Sequence, residues 1–249
     1  MSKIICIIPA RLGSYRFKDK PFADICGKSM LEHVYKRAEM CEMLNEVYVA
    51  TPNLEIVEHV EAFGGNAIMT TDDVRRASDR VAQASAKIDE ADIIVNLQGD
   101  EPLVFPEMIE MAIQPLLDDP SLSCVNLAKR VNLQEAKNIH EVKVVFDENH
   151  EALYFSREPI PSKFMGDKEF PYYIEVCVFP FTNKSLQEFT KLASTPLEII
   201  ESIDMLRFLE HGHRIKIVET DYETYSVDIP SDLEKVREVM KKDPLCKIY

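Results

Sequence analysis

Apolar runs of membrane length are missing from this 249-residue sequence. The longest, such as Ile4 to Ala10 and Ile93 to Val95, fall far short of the roughly 20 residues that a membrane helix needs, and no signal-peptide pattern opens the chain. A soluble, cytoplasmic protein with no membrane partner is expected. Paired cysteine spacing is missing too. Cys6, Cys26, Cys41, Cys124, Cys177 and Cys246 are scattered, several within apolar runs where a reduced thiol packs as a small hydrophobe, which argues against a disulfide framework or a zinc site. Glycine is scarce at seven residues, and no internal repeat, low-complexity tract or flexible linker marks a domain boundary. Positive charge is in deficit. Lysine and arginine number 29 against 43 aspartates and glutamates, a net charge of −14 that disfavours a nucleic-acid partner. A polyanionic small ligand would need cations, helix N-termini or metal ions gathered in one place.

What is present is enough apolar residue, 46% of the chain, to bury a core in one or two domains. Short β-rich runs alternate with amphipathic stretches: strands at 3–8, 47–50, 66–69 and 93–97, helices at 30–40, 54–63 and 78–88. Strands separated by helices of ten or so residues imply crossover connections, hence an α/β doubly wound domain with a mostly parallel sheet. The second half differs. Runs at 142–146, 152–155, 175–181 and 215–218 read as strands of a mixed sheet between longer loops. Thr195-Pro196-Leu197-Glu198 and Ser231-Asp232-Leu233-Glu234 both fit a capping box, so helices are expected to start at each. A loose division falls near 121–140.

The segment Pro9 to Pro21 follows the first strand, where an open parallel sheet presents its ligand crevice. It carries Arg11, Arg16, Lys18 and Lys20, while Gly13 and Ser14 can offer backbone N–H groups to phosphate oxygens. It is neither a Walker loop nor a dinucleotide fingerprint, so ATPase and dehydrogenase readings fall. A solvated basic loop without a ligand is the competing reading. Asp100, just past the strand at 93–97, should project at the carboxyl edge of the sheet beside this loop, and Asp228 precedes a helix. Each could equally be a turn or capping residue. Two carboxylates with phosphates and water would nevertheless suffice for Mg²⁺.

Ile7-Ile8-Pro9-Ala10-Arg11 with Ser14, Arg16 and Lys20-Pro21, then Asp24 to Met30, resembles the opening of the 3-deoxy-manno-octulosonate (Kdo) cytidylyltransferases, or CMP-Kdo synthetases. Further segments match in order: Val95 to Pro102, Val142 to Val145, Ala152 to Arg157 and Val227 to Leu233. The resemblance implies a Rossmann-like nucleotide-diphospho-sugar transferase fold of the α/β class. Its nucleotide-binding core would span 1–130 and 185–249, and a smaller mixed α/β region at 131–184 would serve sugar binding and dimerisation. It implies that CTP and a 2-keto sugar acid react to CMP-sugar and pyrophosphate, for lipopolysaccharide or capsule, in a homodimer. Asp100 and Asp228 would hold Mg²⁺. Arg11 and Lys20 would join them as catalytic groups, with pyrophosphate departing against Arg11, Arg16 and Lys20. Pro9, Ala10, Gly13, Ser14, Ser78, Arg80 and Gln98 would line the nucleotide, and Gln98, Arg157, Glu175, Phe179, Glu201, Asp204 and Met205 the sugar.

Departures from that family cluster away from the triphosphate positions. Where the family shows His-x-Ser-Gly-Thr-Asp/Glu-Arg, this chain has Val74-Arg75-Arg76-Ala77-Ser78-Asp79-Arg80; where it shows His-Leu-Gly-Ile-Tyr, this chain has Glu175-Val176-Cys177-Val178-Phe179; and a glutamine becomes Met205. Such changes imply an altered acceptor, an amino-substituted Kdo or a nonulosonic acid, because losing hydrogen-bond partners changes which sugar a site accepts. Arg75 and Arg76 could instead recruit extra carboxylate or phosphate. A catalytically silent nucleotide-binding paralogue is the alternative from another class. His211 and His213 read as a solvated helix end, and Met40, Met43, Met108 and Met111 as core.

Overall fold

A computed structural model describes residues 2–13, 17–74, 76–164 and 170–249. In chain order the elements are β1 (Ile4–Pro9), β2 (Asp24–Ile25), β3 (Lys28–Ser29), α1 (Met30–Glu39), β4 (Glu46–Thr51), α2 (Leu54–Ala62), β5 (Asn66–Met69), α3 (Ala77–Ser85), β6 (Ile93–Leu97) and α4 (Pro106–Asp118). There follow β7 (Val125–Val131), α5 (Leu133–Ala136), β8 (Lys143–Phe146), β9 (Ala152–Ser156), β10 (Tyr172–Val176), β11 (Val178–Thr182), α6 (Asn183–Phe189), α7 (Pro196–Glu201), α8 (Asp204–Glu210), β12 (Lys216–Thr220) and α9 (Pro230–Met240).

The central sheet runs β11-β6-β1-β4-β5. Its members are parallel except β11, which lies antiparallel to β6. The mostly parallel α/β architecture expected from the alternating pattern is therefore present. Both faces of β1 are covered, and the period of two sorts its side chains: Ile4, Cys6 and Ile8 enter one core with α1, α2 and α4, while Ile5 and Ile7 enter another. That second core also takes Val144, Phe155 and Ile217 from the other sheet, which runs β12-β7-β10-β8-β9 and mixes one parallel pair with antiparallel ones. Segment 131–184 supplies β8, β9 and β10 to it; β7 and β12 complete it, and β11 joins the central sheet. Among the described residues no helix is long and apolar enough to cross a membrane.

Three local expectations are corrected. The run 175–181 is two strands in different sheets, broken at Cys177, whose carbonyl accepts a hydrogen bond from the Gln98 backbone. The last helix starts at Pro230 and not after a Ser231 cap: the Asp232 carboxylate, in the helix's first turn, accepts from the backbone N–H groups of Asp228 and Ile229. A strand, β7, occupies the region taken as a loose division. At Thr195 the helix starts as expected and Glu198 accepts from the Thr195 N–H, but the reciprocal bond from the box is missing, since the Thr195 hydroxyl has no partner among the described residues. His213 does not sit in solvent as a helix end would, since its ring stacks on Phe208 at 4.1 Å.

Phe181, Phe189 and Phe208 are fully buried with ring centroids 5.9–6.3 Å apart, joining β11, α6 and α8. Phe208→Ala is expected to cost about 3–5 kcal/mol in urea unfolding. A cost near that of a surface change would show that this cluster does not hold α8 to the sheet.

Candidate active site

Chain order turns back on itself at β1: β4 and β5 lie on one side, β6 on the other. Such a switch point leaves a crevice beyond the carboxyl ends of the two strands. Gly99 permits the close approach there, because a Cβ at that position would lie 3.0 Å from the Pro9 carbonyl oxygen. Asp100 follows directly. Lys20 returns to this edge and donates from Nζ to Asp100 Oδ2 and to the Val227 carbonyl, both at 2.7 Å. The Val227 N–H in turn donates to the Asp100 carbonyl at 3.0 Å. Three segments far apart in sequence are thus tied together, and Asp228 and Asp100 line one cleft.

Two clefts adjoin at this knot. The first, about 460 Å³, is lined by Pro9, Ala10, Arg11, Gly13, Lys20 and Arg80, among others. Arg80 is buried and donates to Thr70 Oγ1 and to the Thr71 and Val74 carbonyls, so it fixes the loop along one wall. The second, about 280 Å³, is lined by Arg157, Glu175, Phe179, Asp204, Met205 and Asp228, with Ser78 also on its wall. Arg76, Ala77, Gln98 and Asp100 belong to both. Gln98 donates to Asn96, and Asn96 donates to Ser78, which fixes the shared wall. Ser14, Arg16 and Arg75 lie outside the described residues.

Not every residue expected at the sugar faces a cleft. The Glu201 carboxylate accepts from the Tyr154 and Ser156 hydroxyls and the Arg157 N–H. Arg157 itself donates to the carbonyls of Glu201, Ile139, His140 and Ser202, which leaves its guanidinium largely committed to backbone. Sequence reading gave Glu141 no role. Burial pushes its carboxyl up, and Asp228 and Asp100 add to this. Glu101 is raised for the same first reason, with Asp100 beside it. Glu101 lies within the Val95 to Pro102 segment but was given no role, and no motif marks Glu141; the burial of both arises from tertiary packing.

Residues 5–217 match the sequence profile of the family described as Cytidylyltransferase. The chain belongs to that family. A 3-deoxy-manno-octulosonate cytidylyltransferase of Syntrophus aciditrophicus is 43% identical over 96% of this chain and 98% of its own length. One from Geotalea uraniireducens is 43% identical over 96% and 100%. A solved CMP:2-keto-3-deoxy-manno-octonic acid synthetase complexed with CTP superposes with a TM-score of 0.91 at 40% identity, covering 97% of this chain and 99% of that one. The 4-diphosphocytidyl-2C-methyl-D-erythritol synthase of Anaerococcus prevotii, at TM-score 0.64 and 13% identity, shares the fold alone.

In this cytidylyltransferase the wall between the clefts is braced by an ionic network. Arg207 is buried and donates to both oxygens of Glu198 and both of Asp79, tying α8 to α7 and α3. Arg76 adds to it, donating to Ser202 Oγ and the Glu198 carbonyl, with Nε 3.3 Å from Glu198 Oε1 and 3.7 Å from Asp204 Oδ1. Burial alone would raise the Glu198 pKa, but Arg207 outweighs it and holds the carboxyl below its ordinary value of 4.5. A depressed carboxylate contributes stability above its unfolded pKa and loses it as pH falls through the folded one. Arg207→Met leaves Glu198 buried without its main partner, at a cost of about 3–5 kcal/mol near neutrality. The stability gap between wild type and R207M is expected to narrow from pH 7 to pH 4, as the stranded carboxyl takes up its proton. Unfolding curves that keep the gap constant would contradict this.

Proposed function

We propose that this cytidylyltransferase activates Kdo: CTP and Kdo give CMP-Kdo and pyrophosphate, supplying sugar for lipopolysaccharide or capsule. The observation that carries the reading is the knot of Lys20, Asp100 and Val227 at the junction of two clefts, beside Asp228. In this reading CTP lies in the larger cleft along Pro9, Ala10, Gly13 and Arg80, with its triphosphate towards Arg11 and Lys20. The sugar lies in the smaller one, its reacting end at Asp100 and its carboxylate near Arg76. The anomeric hydroxyl oxygen bonds to the α-phosphorus while the bond to the β-phosphate oxygen breaks. The hydroxyl proton passes to solvent, and pyrophosphate leaves.

The donor set fits a divalent ion. Asp100 and Asp228 face one space, and one Asp100 oxygen carries the Lys20 bond while the other is left for a metal. Two carboxylates are enough for Mg²⁺, an ion that takes one or two of them and completes its shell with phosphate and water. Bound there, it would lower the pKa of the attacking hydroxyl and neutralise phosphate charge. Lys20 positions the Asp100 carboxylate and presents positive charge to the leaving group; Gln98, held by Asn96, orients whatever spans the two clefts.

Pyrophosphate release from CTP and Kdo with Mg²⁺ tests the reading. Lys20→Met is expected to lower kcat by about 10²–10³-fold, the loss typical of removing one preorganised charge stabiliser. Asp228→Asn is expected to raise the half-saturating Mg²⁺ concentration by about tenfold or more. Full activity of both variants would refute these roles.

We also propose a homodimer, working in the cytoplasm, with 131–184 as the sugar-binding and dimer-forming region. Leu153 and Phe170, exposed at 63% and 55%, line a broad groove on the second sheet, and Phe164 in the same region is 90% exposed. Light scattering is expected to give twice 28.6 kDa; a monomer at micromolar concentration would oppose it.

A further inference from the structure

The far end of the smaller cleft is acidic. Glu175, on β10, directs its carboxylate into it, and Asp204, at the start of α8, faces the same space. Among the described residues the only hydrogen-bond partner of the Glu175 side chain is Asn126, whose amide donates to Oε1 at 2.7 Å. The other carboxylate oxygen is left for whatever enters. Asn126 is fully buried, and its Oδ1 has no hydrogen-bond partner, so the pair carries unused acceptor capacity. Phe179, Met205 and Val142 make the remaining wall apolar.

The cations at this cleft balance one of the two carboxylates and not the other. Arg76, held at the shared wall by Ser202 and Glu198, lies 3.7 Å from Asp204, whose other oxygen accepts from the Ser78 N–H, whereas the Arg157 guanidinium is spent on four backbone carbonyls and gives Glu175 no hydrogen bond. The Cys177 carbonyl accepts from Gln98, so Cys177 abuts the reacting centre. Glu175 lies two residues earlier, roughly 7 Å further out along an extended chain. It therefore meets the tail of the acceptor and not the anomeric hydroxyl.

We infer that Glu175, backed by Asn126 and faced by Asp204, selects an acceptor whose tail carries an ammonium group in place of a hydroxyl. The inference rests on the cytidylyl transfer proposed above and specifies its acceptor. An ammonium group gives the Glu175 carboxylate the counter-charge that Asp204 takes from Arg76, and it donates charge-assisted hydrogen bonds, which are about twice as strong as those of a neutral hydroxyl. Burial pushes Glu175 up to about 8, with Asp204 adding to the rise, so near neutrality the empty cleft holds it largely as the neutral acid, and an arriving ammonium group would favour its ionised form.

The experiment compares Kdo with two analogues in which an amine replaces the hydroxyl at C7 or at C8, measuring KM and kcat on the full chain with CTP and Mg²⁺. At least one amine is expected to show a KM about tenfold or more below that of Kdo. Glu175→Gln is expected to bring the two KM values to within about twofold or threefold, with the change in KM and not in kcat. Kdo used as well as or better than both amines overturns the inference while leaving the proposed reaction intact, and this arm needs no variant. An amine preference that persists in E175Q also overturns the role of Glu175. Turnover of none of the three sinks the proposed reaction and the inference with it.

Discussion

The ammonium group of Lys20 meets the Asp100 carboxylate and the Val227 carbonyl at the mouth of the switch point, each at 2.7 Å. It closes the segment after β1 onto the segment after β6 and draws in the stretch before α9. The Val227 N–H bond to the Asp100 carbonyl and the burial of Val227 against Met30, Leu103 and Leu233 reinforce it, so Asp228 lies beside Asp100 although their segments share no strand pairing. Both side chains of the pair are partly shielded from water, at 15% and 28% exposure, so the attraction is screened less than at an open surface. The pair also sets the local field: a chain of net charge −14 places a cation where a triphosphate would arrive and uses an acidic side chain to hold it in place.

What could be read from the sequence was what periodicity and local chemistry encode. The apolar runs of β1 and of Ile93 to Val95 in β6 announce strands covered on both faces, and the crossover helices between them follow. The crevice and the positions of Arg11, Lys20 and Asp100 come with that topology. The stretch 175–181 was misread because an apolar, β-rich run carries no mark of which sheet each residue joins. The break at Cys177 is made by a backbone bond to Gln98, nearly eighty residues away. β7 escaped notice for a related reason, since its Lys129 and Arg130 interrupt an alternation that pairing with β10 and β12 restores. Ser231 looked like a helix cap because its motif is local, whereas Pro230 already occupies the first turn and Asp232 serves the N–H groups before it.

The second cleft was only partly legible, since its character depends on which side chains are already occupied. The family resemblance implies Arg157 and Glu201 as sugar ligands. In the fold each is consumed by neighbours: Arg157 by four carbonyls, Glu201 by two hydroxyls and a backbone N–H. They act as a clasp between α7 and the end of β9. Glu175 lines the cleft with only one of its oxygens engaged, by Asn126, whereas Asp204 beside it is met by the Ser78 N–H and by Arg76.

The same bookkeeping explains why Arg76 can stand in a wall where the resembling family has serine. An unpaired guanidinium between a phosphate cleft and a sugar cleft would be a strong, indiscriminate anion site. Here the Ser202 hydroxyl, the Glu198 carbonyl and the carboxylates of Glu198 and Asp204 surround it, so its charge is partly balanced before any ligand arrives. Glu198 is itself already balanced by Arg207, which leaves Asp204 as the carboxylate most dependent on Arg76. Burial pushes the Asp204 pKa up, and Arg76 is the largest influence opposing that rise. The cation at the shared wall thus tunes the acid on the acceptor side, and a ligand carboxylate that drew Arg76 away would leave Asp204 more in need of a positive partner. In the proposed reading, anion recognition at one end of the acceptor and cation recognition at the other would be coupled through this single side chain.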